Sequence, residues 1–284
     1  MSLRFASLLQ VTPFALVMFG LVVVPLVIIF VVSFFDYGYA QIIPSFIWDN
    51  YADIFRSKVT IELYLTAFRH IAIVWAITLV LGFAIAYYVI FLVESNFWKA
   101  IFLMACAIPF WTSGAIRMVS WVPLLGREGL VNQALMGMGL IKEPIGWLLY
   151  SDFSVLLVYV NMLTLAMLGP IANSMAKIDK SLIQAARDQG ASEWQTITQV
   201  IIPLVKPGIA IGSIFVITAV MGDFFVVKKM SGSQINTPSG SIMNMINALE
   251  YPPAAAQSVI MLVVVLGIVA AILRVVDIRK ELAQ

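Results

Sequence analysis

The sequence is poor in charge. Only 11% of its 284 residues are Asp, Glu, Lys or Arg, where a typical soluble domain has about 25%. That shortage excludes an ordinary water-soluble globule. Cysteine occurs once, as Cys106 inside an apolar run, so no intrachain disulfide can form. Histidine also occurs once, as His70, which leaves a histidine-based metal centre without ligands. The net charge is +2 with no basic tract, and nothing favours nucleic acid. There is no Gly-x-x-x-x-Gly-Lys-Ser/Thr loop, so the chain cannot hydrolyse ATP itself. Gly-x-Ser-x-Gly and His-Glu-x-x-His are missing too, which speaks against an intramembrane hydrolase.

What the sequence has instead is apolar length. Hydrophobic residues make up 62%, with a mean hydropathy of +0.99. An integral membrane protein follows. At roughly 20 residues per helical span, six or seven spans use most of the chain, and no large soluble domain is expected at either end. Residues 5–35 carry no charge and are too long for a signal peptide, whose apolar core is about 7–15 residues. Charges bracket six runs, which predict helical spans near 10–34, 67–93, 99–123, 152–174, 207–227 and 254–275. They are expected to be helices because hydrocarbon leaves no backbone group free to stay unpaired. The expected fold is therefore all-α, a single transmembrane domain over 1–284.

Orientation follows from loop charge. One side holds Arg4, Lys99, Lys177, Lys180, Arg187, Lys206, Arg274, Arg279 and Lys280. The other holds Arg56, Lys58, Arg117, Arg127, Lys142, Lys228 and Lys229. The first side has the shorter loops and the higher charge density, which puts both termini in the cytoplasm. The outer segment 36–64 is rich in aromatics (Tyr37, Tyr39, Phe46, Trp48, Tyr51 and Phe55), as in an interfacial belt. Leu130, Val131, Ala134, Leu135 and Met138 fall on one face and predict a short amphipathic outer helix. The two halves show no internal repeat, which counts against an inverted-repeat secondary carrier.

The loop between the fourth and fifth spans is the most specific part. Ser181 with Gln184, and Ser192 with Gln195, each fit a capping box at a helix start. Gly190 suits the left-handed stop of the first helix. Pro203 is expected to end the second, because the residue before proline avoids the helical region. Residues 177–203 thus predict a helix–turn–helix at the membrane surface, with Ile183, Trp194, Ile197, Val200 and Ile201 as its apolar contacts and the small Ala185 and Ala186 as a close-packing face.

This stretch resembles the coupling loop of permease subunits of type I ATP-binding-cassette (ABC) importers. Ala185, Ala186, Gly190 and Pro203 stand at the offsets of the family's Glu-Ala-Ala, Gly, Ile-x-Leu-Pro pattern. Gln184 replaces the Glu, removing one negative charge, while Val200 and Ile202 replace Ile and Leu. A second stretch, Ile108-Pro109-Phe110-Trp111-Thr112-Ser113 with Arg117, Trp121 and Gly129-Leu130-Val131-Asn132, is similar to the permeases of spermidine/putrescine-type importers, as is Gly222-Asp223-Phe224-Phe225. The resemblance is to the first permease of a two-permease pair.

It implies a type I permease fold in a bacterial inner membrane, with a cytoplasmic coupling helix pair formed around Gln184, Ala185, Ala186, Gly190, Trp194 and Pro203. It implies several partners as well: a homodimer of ATPase subunits that binds ATP and Mg, a second homologous permease, and a periplasmic binding protein. No cofactor is expected on this chain. The expected solute is small and charged, a polyamine such as spermidine or putrescine, and the candidate pathway residues are Trp111, Arg117, Trp121, Asn161, Asp223 and Phe224. Two readings of Asp223 stand side by side: a carboxylate on the pathway attracting an ammonium group, or a partner of Lys228 and Lys229. Arg117 reads either as part of an outer gate, including a pair with Asp223, or as an interfacial arginine. The outer charges Arg117, Lys228 and Lys229 would repel a polyamine if they faced the entrance; they would suit an anionic or zwitterionic solute such as a phosphonate or carboxylate, or equally acidic patches on a binding protein, and an ATP-independent carrier is the remaining alternative.

Overall fold

The computed structural model describes residues 12–14, 16–38 and 41–275. Arg4, Arg279, Lys280, Tyr39 and the first two residues of the expected first span lie outside the described residues. In chain order, α1 is Thr12–Val32, followed by the short strands β1 (Asp36–Gly38) and β2 (Gln41–Ile43), α2 (Asp49–Arg56) and α3 (Lys58–Leu92). Next come α4 (Asn96–Ala107), α5 (Gly114–Val119), α6 (Val122–Leu125) and α7 (Leu130–Gly137). The long α8 (Asp152–Ala176) leads through α9 (Lys180–Asp188) to α10 (Glu193–Gly222). The chain closes with α11 (Phe225–Met230), α12 (Pro238–Asn247) and α13 (Tyr251–Val275). Among the described residues α1, α3, α8, α10 and α13 are long and apolar enough to cross a membrane, and Asn96–Cys106 is a shorter apolar helix.

The chain forms two compact units. The first is Met1–Leu63 with Pro238–Val264. Here β1 and β2 pair antiparallel, with Asp36 opposite Ile43. Phe34, 6% exposed, gathers the aromatics of the loop: Phe46 stacks on it at 4.7 Å, and Trp48 and Tyr51 lie at 5.0 and 5.2 Å. Asn50 donates to the carbonyls of Ser33 (3.0 Å) and Phe35 (2.8 Å), satisfying acceptors freed where α1 ends. These rings pack α2 against the end of α1, although Phe46 and Trp48 stay largely exposed, as do Tyr37 and Phe55. Buried Gln257 on α13 accepts from Ser241 Oγ at 3.3 Å and donates to the Pro238 carbonyl at 3.5 Å, which anchors α12.

The second unit is Tyr64–Thr237 with Val265–Gln284. Its centre is the pair α8 and α10, and glycine sets how near they come. A Cβ on Gly208 would lie 2.5 Å from the Pro170 carbonyl oxygen and 2.5 Å from Ser174 Oγ. On Gly212 it would lie 2.7 Å from Met167 Sδ. Gly208 and Gly212 are one turn apart, the small-xxx-small spacing that lets membrane helices touch backbone to backbone. Gly82 on α3 receives the same Met167 from the other side, where a Cβ would sit 3.0 Å from Met167 Cγ. The Trp75 indole N–H donates to Ser213 Oγ at 2.8 Å, so α3 and α10 share a hydrogen bond inside an apolar setting.

Several boundaries differ from the sequence expectation. The second span starts at Lys58 because Ser57 Oγ accepts the Thr60 amide (3.2 Å) and caps the helix nine residues before the expected position near 67. The third, expected as one helix over 99–123, is broken. Helix α4 ends at Ala107, a 3-10 turn covers Ile108–Trp111, and α5 and α6 follow. Pro109 and Pro123 lack the N–H a continuous helix needs. The fifth span ends at Gly222, not near 227: Asp223 is extended (φ −84, ψ 129).

Pro203 does not end a helix either. Thr196–Ile201 is π-helical, with the Ile202 N–H bonded to the Ile197 carbonyl, and the α10 run passes straight through Pro203. The wider turn moves the carbonyls that a proline ring would otherwise strike. The same device precedes Pro25, where Phe19–Val23 is π-helical.

Candidate functional site

Two places gather the residues expected to act: the surface 177–203 and a pocket beside Arg117. At the surface, α8 ends at Ala176 with Lys177 as its cap. Helix α9 is capped by Asp179, whose carboxylate accepts the Ser181 amide at 2.9 Å. The cap expected at Ser181 is thus two residues early: Asp179 already satisfies the first amides. That hydrogen bond holds the exposed Asp179 carboxyl below its ordinary range. At the other end Gly190 has φ +80; its N–H donates to the Arg187 carbonyl (2.9 Å), and the Ala191 N–H donates to the Ala186 carbonyl (3.0 Å). This is the Schellman closure, which needs a left-handed residue at Gly190. The reciprocal box of Ser192 and Gln195 then opens α10 as the spacing predicts.

The turn is braced from outside. Arg187 meets Glu193 at 2.8 Å across it, and the Tyr87 hydroxyl at the end of α3 lies 3.5 Å from the same carboxylate. Both partners of the ion pair are about half exposed or more, so it contributes about 0.2–1 kcal/mol. It ties the end of α9 to the start of α10.

The apolar residues expected here divide in two. Ile183 and Ile201 are buried, and Ile197 and Val200 are half-buried. Trp194 is 72% exposed and Leu182 49%. Gln184 and Ala185 are exposed, Ala186 is half-buried, and Pro203 is exposed on α10. Trp194 and Leu182 are large apolar side chains that the chain leaves uncovered on a rigid frame. The sequence singled out Trp194 but not Leu182, whose exposure depends on the phase of α9 set by Asp179.

The pocket has a volume of about 480 Å³ and lies between α3, the α4–α6 segment and α8. Leu157, Val160, Asn161, Thr164 and Leu165 give it one face of α8, at helical spacing. Arg117 and Trp121 come from the broken third run, with Pro109 and with Leu81 of α3. The break matters: in a straight helix over 99–123 Pro109 and Trp121 would lie about 18 Å apart along the axis, and the turn draws them to one cavity. Arg117 Nε is buried with no hydrogen-bond partner. Arg117 is the only charged residue among those lining the pocket. Thr164 donates to the Val160 carbonyl at 2.6 Å and retains its acceptor lone pairs.

The pocket thus unites Arg117, Trp121 and Asn161, but not the other three candidates. Trp111 is 92% exposed. Asp223 accepts the Val226 amide at 2.8 Å, and its Oδ1 lies 3.4 Å from the Tyr159 hydroxyl. Tyr159 and Asn161 are two residues apart on α8 and so point to different faces of it. Asp223 caps α11 at the interruption after Gly222, and Phe224 beside it is half-buried with its ring edge-to-face against Phe225.

One polar cluster had no sequence signal. Asp152, in the first turn of α8, meets Arg69 Nη2 at 2.7 Å and His70 Nε2 at 2.6 Å. His70 is fully buried and joins α3 to the start of α8. Residues 82 and 83 positions apart cannot be paired from spacing. Among the described residues no group of three or more His, Cys, Asp or Glu could hold a metal ion.

Comparison with known proteins bears on the whole chain. No protein-family model matches it. It is 33% identical over 225 residues to the spermidine/putrescine transport system permease protein PotB of Salmonella typhimurium (strain SL1344), covering 78% of this chain and 76% of that protein. In structure it is similar to a chain of a bacterial ABC transporter that imports the acidic polysaccharide alginate, with a TM-score of 0.73 over 95% of this chain and 94% of the other at 18% identity. A chain of a bacterial alginate ABC transporter in complex with an alginate pentasaccharide-bound periplasmic protein gives a TM-score of 0.68, covering 95% and 92% at 18% identity. The fold is that of an ABC importer permease, and the chain belongs to the permease family that includes PotB.

Proposed function

We propose that this chain forms half of the translocation pathway of an inner-membrane ABC importer for a polyamine such as spermidine or putrescine. The solute class rests on its PotB relative, a spermidine/putrescine permease. The energy comes from a pair of identical ATPase chains, which bind ATP and Mg and dock beneath residues 177–203. The observation that carries this is the helix pair closed at Gly190, which leaves Trp194 and Leu182 uncovered between two long apolar helices. Exposed aromatic and aliphatic anchors on a braced frame are what an interface centre requires. A second permease supplies the other half of the pathway, and a periplasmic binding protein delivers the solute; the alginate transporter forms a complex with a periplasmic protein that carries alginate pentasaccharide.

The mechanism follows from the frame. When the ATPase pair closes on nucleotide, it carries α9 and the start of α10 with it. Because α10 runs unbroken from Glu193 to Gly222, motion at the surface reaches the Asp223 interruption directly. The pathway then alternates between two states whose balance nucleotide sets. The third run crosses as the broken segment 96–125, which gives six crossings with both termini in the cytoplasm.

One observation favours a second solute class. Arg117 brings a positive charge and an unpaired Nε to a pocket with no lining carboxylate, which suits an anionic or zwitterionic solute. A single experiment separates the two. The chain is reconstituted in proteoliposomes with the chains that co-purify with it, ATP is supplied, and uptake of radiolabelled putrescine is challenged with unlabelled spermidine or unlabelled amino carboxylate. Competition by spermidine alone supports the polyamine. Putrescine that is not transported, with ATP hydrolysis raised by the amino carboxylate, overturns it.

A further inference from the structure

A groove of about 660 Å³ runs between α3, α10 and α13 within the second unit. Its walls are apolar: Ile71 and Trp75 on one side, Ile209 and Ile217 along α10, Ile268 and Ile272 on the other. The one lining hydroxyl, Ser213, is already engaged, accepting from Trp75 and donating to the Ile209 carbonyl at 2.7 Å. The one lining charge is Lys206, exposed near one end, and it makes no ion pair among the described residues.

Length identifies what fits. From Lys206 to Ile217 along α10 is about 16 Å at 1.5 Å per residue. One leaflet of the hydrocarbon core is about 15 Å, half of roughly 30 Å. A lysine at one end and an apolar floor one leaflet long match an amphiphile with an anionic head and a hydrocarbon tail. A basic side chain at that depth reaches the headgroup level with its stem along the apolar wall.

We infer that this groove binds one anionic glycerophospholipid of the surrounding bilayer, its acyl chain between α3, α10 and α13 and its phosphate on Lys206. Charge complementarity and leaflet length select the lipid over an apolar protein helix, which has no use for the lysine. Because α10 begins at the proposed docking surface, an occupied groove would sit against the helix that moves. The inference needs only that α10 spans the membrane, and it stands apart from the choice of solute.

Native mass spectrometry of the full-length chain, with the chains that co-purify, tests it by titration with phosphatidylglycerol and with phosphatidylcholine of equal acyl length. One phosphatidylglycerol is expected to bind about fivefold more tightly, the worth of one basic residue beside an anionic lipid. Lys206→Gln should reduce it to the phosphatidylcholine level, and Lys206→Arg should keep the preference. Ala271→Trp, which fills the groove from α13, should weaken both lipids. Equal binding of the two lipids by the unaltered protein, or a preference that Lys206→Gln leaves intact, overturns the inference. So does the absence of any bound lipid in the assembled complex, which would mean that a protein chain covers the groove.

Discussion

Replacing Gly208 by alanine should separate the two central helices of the second unit. The added Cβ would stand 2.5 Å from the Pro170 carbonyl oxygen, where 3.4 Å is the near edge of ordinary contact. The helices must then part by roughly 0.9 Å, and neither a carbonyl nor a helix backbone can yield as a side-chain tip does. A gap of about 0.5–1 Å forfeits a quarter to a half of each dispersion contact along it. In a bilayer, close packing is the main force between helices. Overpacking of this kind costs about 1–3 kcal/mol, and the backbone clash puts Gly208→Ala at the upper end. Gly212→Ala should cost less, because the backbone it meets is farther off, the Met167 carbonyl oxygen at 3.1 Å, and its nearest obstacle is the Met167 sulfur at 2.7 Å on an unbranched side chain. Gly169→Ala is the control: nothing lies within 4 Å of its Cβ, and alanine gains up to about 1 kcal/mol of helix propensity. Thermal inactivation in mild detergent, followed by size-exclusion profile, ranks the three. A Gly208→Ala protein as stable as Gly169→Ala would refute the close approach of α8 and α10.

Gly190→Val should leave assembly largely intact yet uncouple ATP hydrolysis from uptake. No atom lies within 4 Å of a Cβ there, so the cost is the left-handed backbone alone, about 1–2 kcal/mol or more for a branched residue; normal coupled uptake would count against the role of the turn. Leu249 sits at φ +64 in the closure of α12, so Leu249→Gly should stabilise the protein by about 1 kcal/mol, read as a higher inactivation temperature. Asp223→Ala should remove the cap of α11 and the Tyr159 contact, lowering stability by about 1 kcal/mol. If Asp223 acts only as that cap, the KM for uptake stays unchanged, and a raised KM with unaltered stability would return it to the pathway.

Sequence reading reached furthest where a local rule decides the outcome. Gly190 and the Ser192–Gln195 box were legible because each is fixed within a few residues. The helix α7 was legible from its spacing, but its buried side chain is Asn132, off the expected face, while Leu130 and Met138 are exposed. Pro203 misled because a π-helical turn, invisible in composition, absorbs the ring. The third span misled because its hydropathy is continuous while Pro109 and Pro123 break the backbone. Gly208 and Gly212 stand in plain view in the sequence, but their meaning needs the facing Met167 and Pro170. The Arg69–His70–Asp152 cluster is wholly tertiary. For the pathway, residue type alone nominated Asp223 as readily as Arg117, and only helix phase on α8 separates them.

Solute is expected to cross only when an ATPase docks on residues 177–203. Trp194→Ala tests it most directly, because Trp194 is 72% exposed and its loss removes surface without disturbing the chain's own packing. The complex would be purified through a tag on this chain, and both the co-purifying ATPase and ATP-driven putrescine uptake measured. The expected result is an unaltered inactivation temperature for the chain, less ATPase recovered, and uptake reduced at least tenfold, the effect of losing an interface anchor worth about 2 kcal/mol. Full ATPase recovery and normal uptake in Trp194→Ala, or uptake by the isolated chain without ATP, would contradict it.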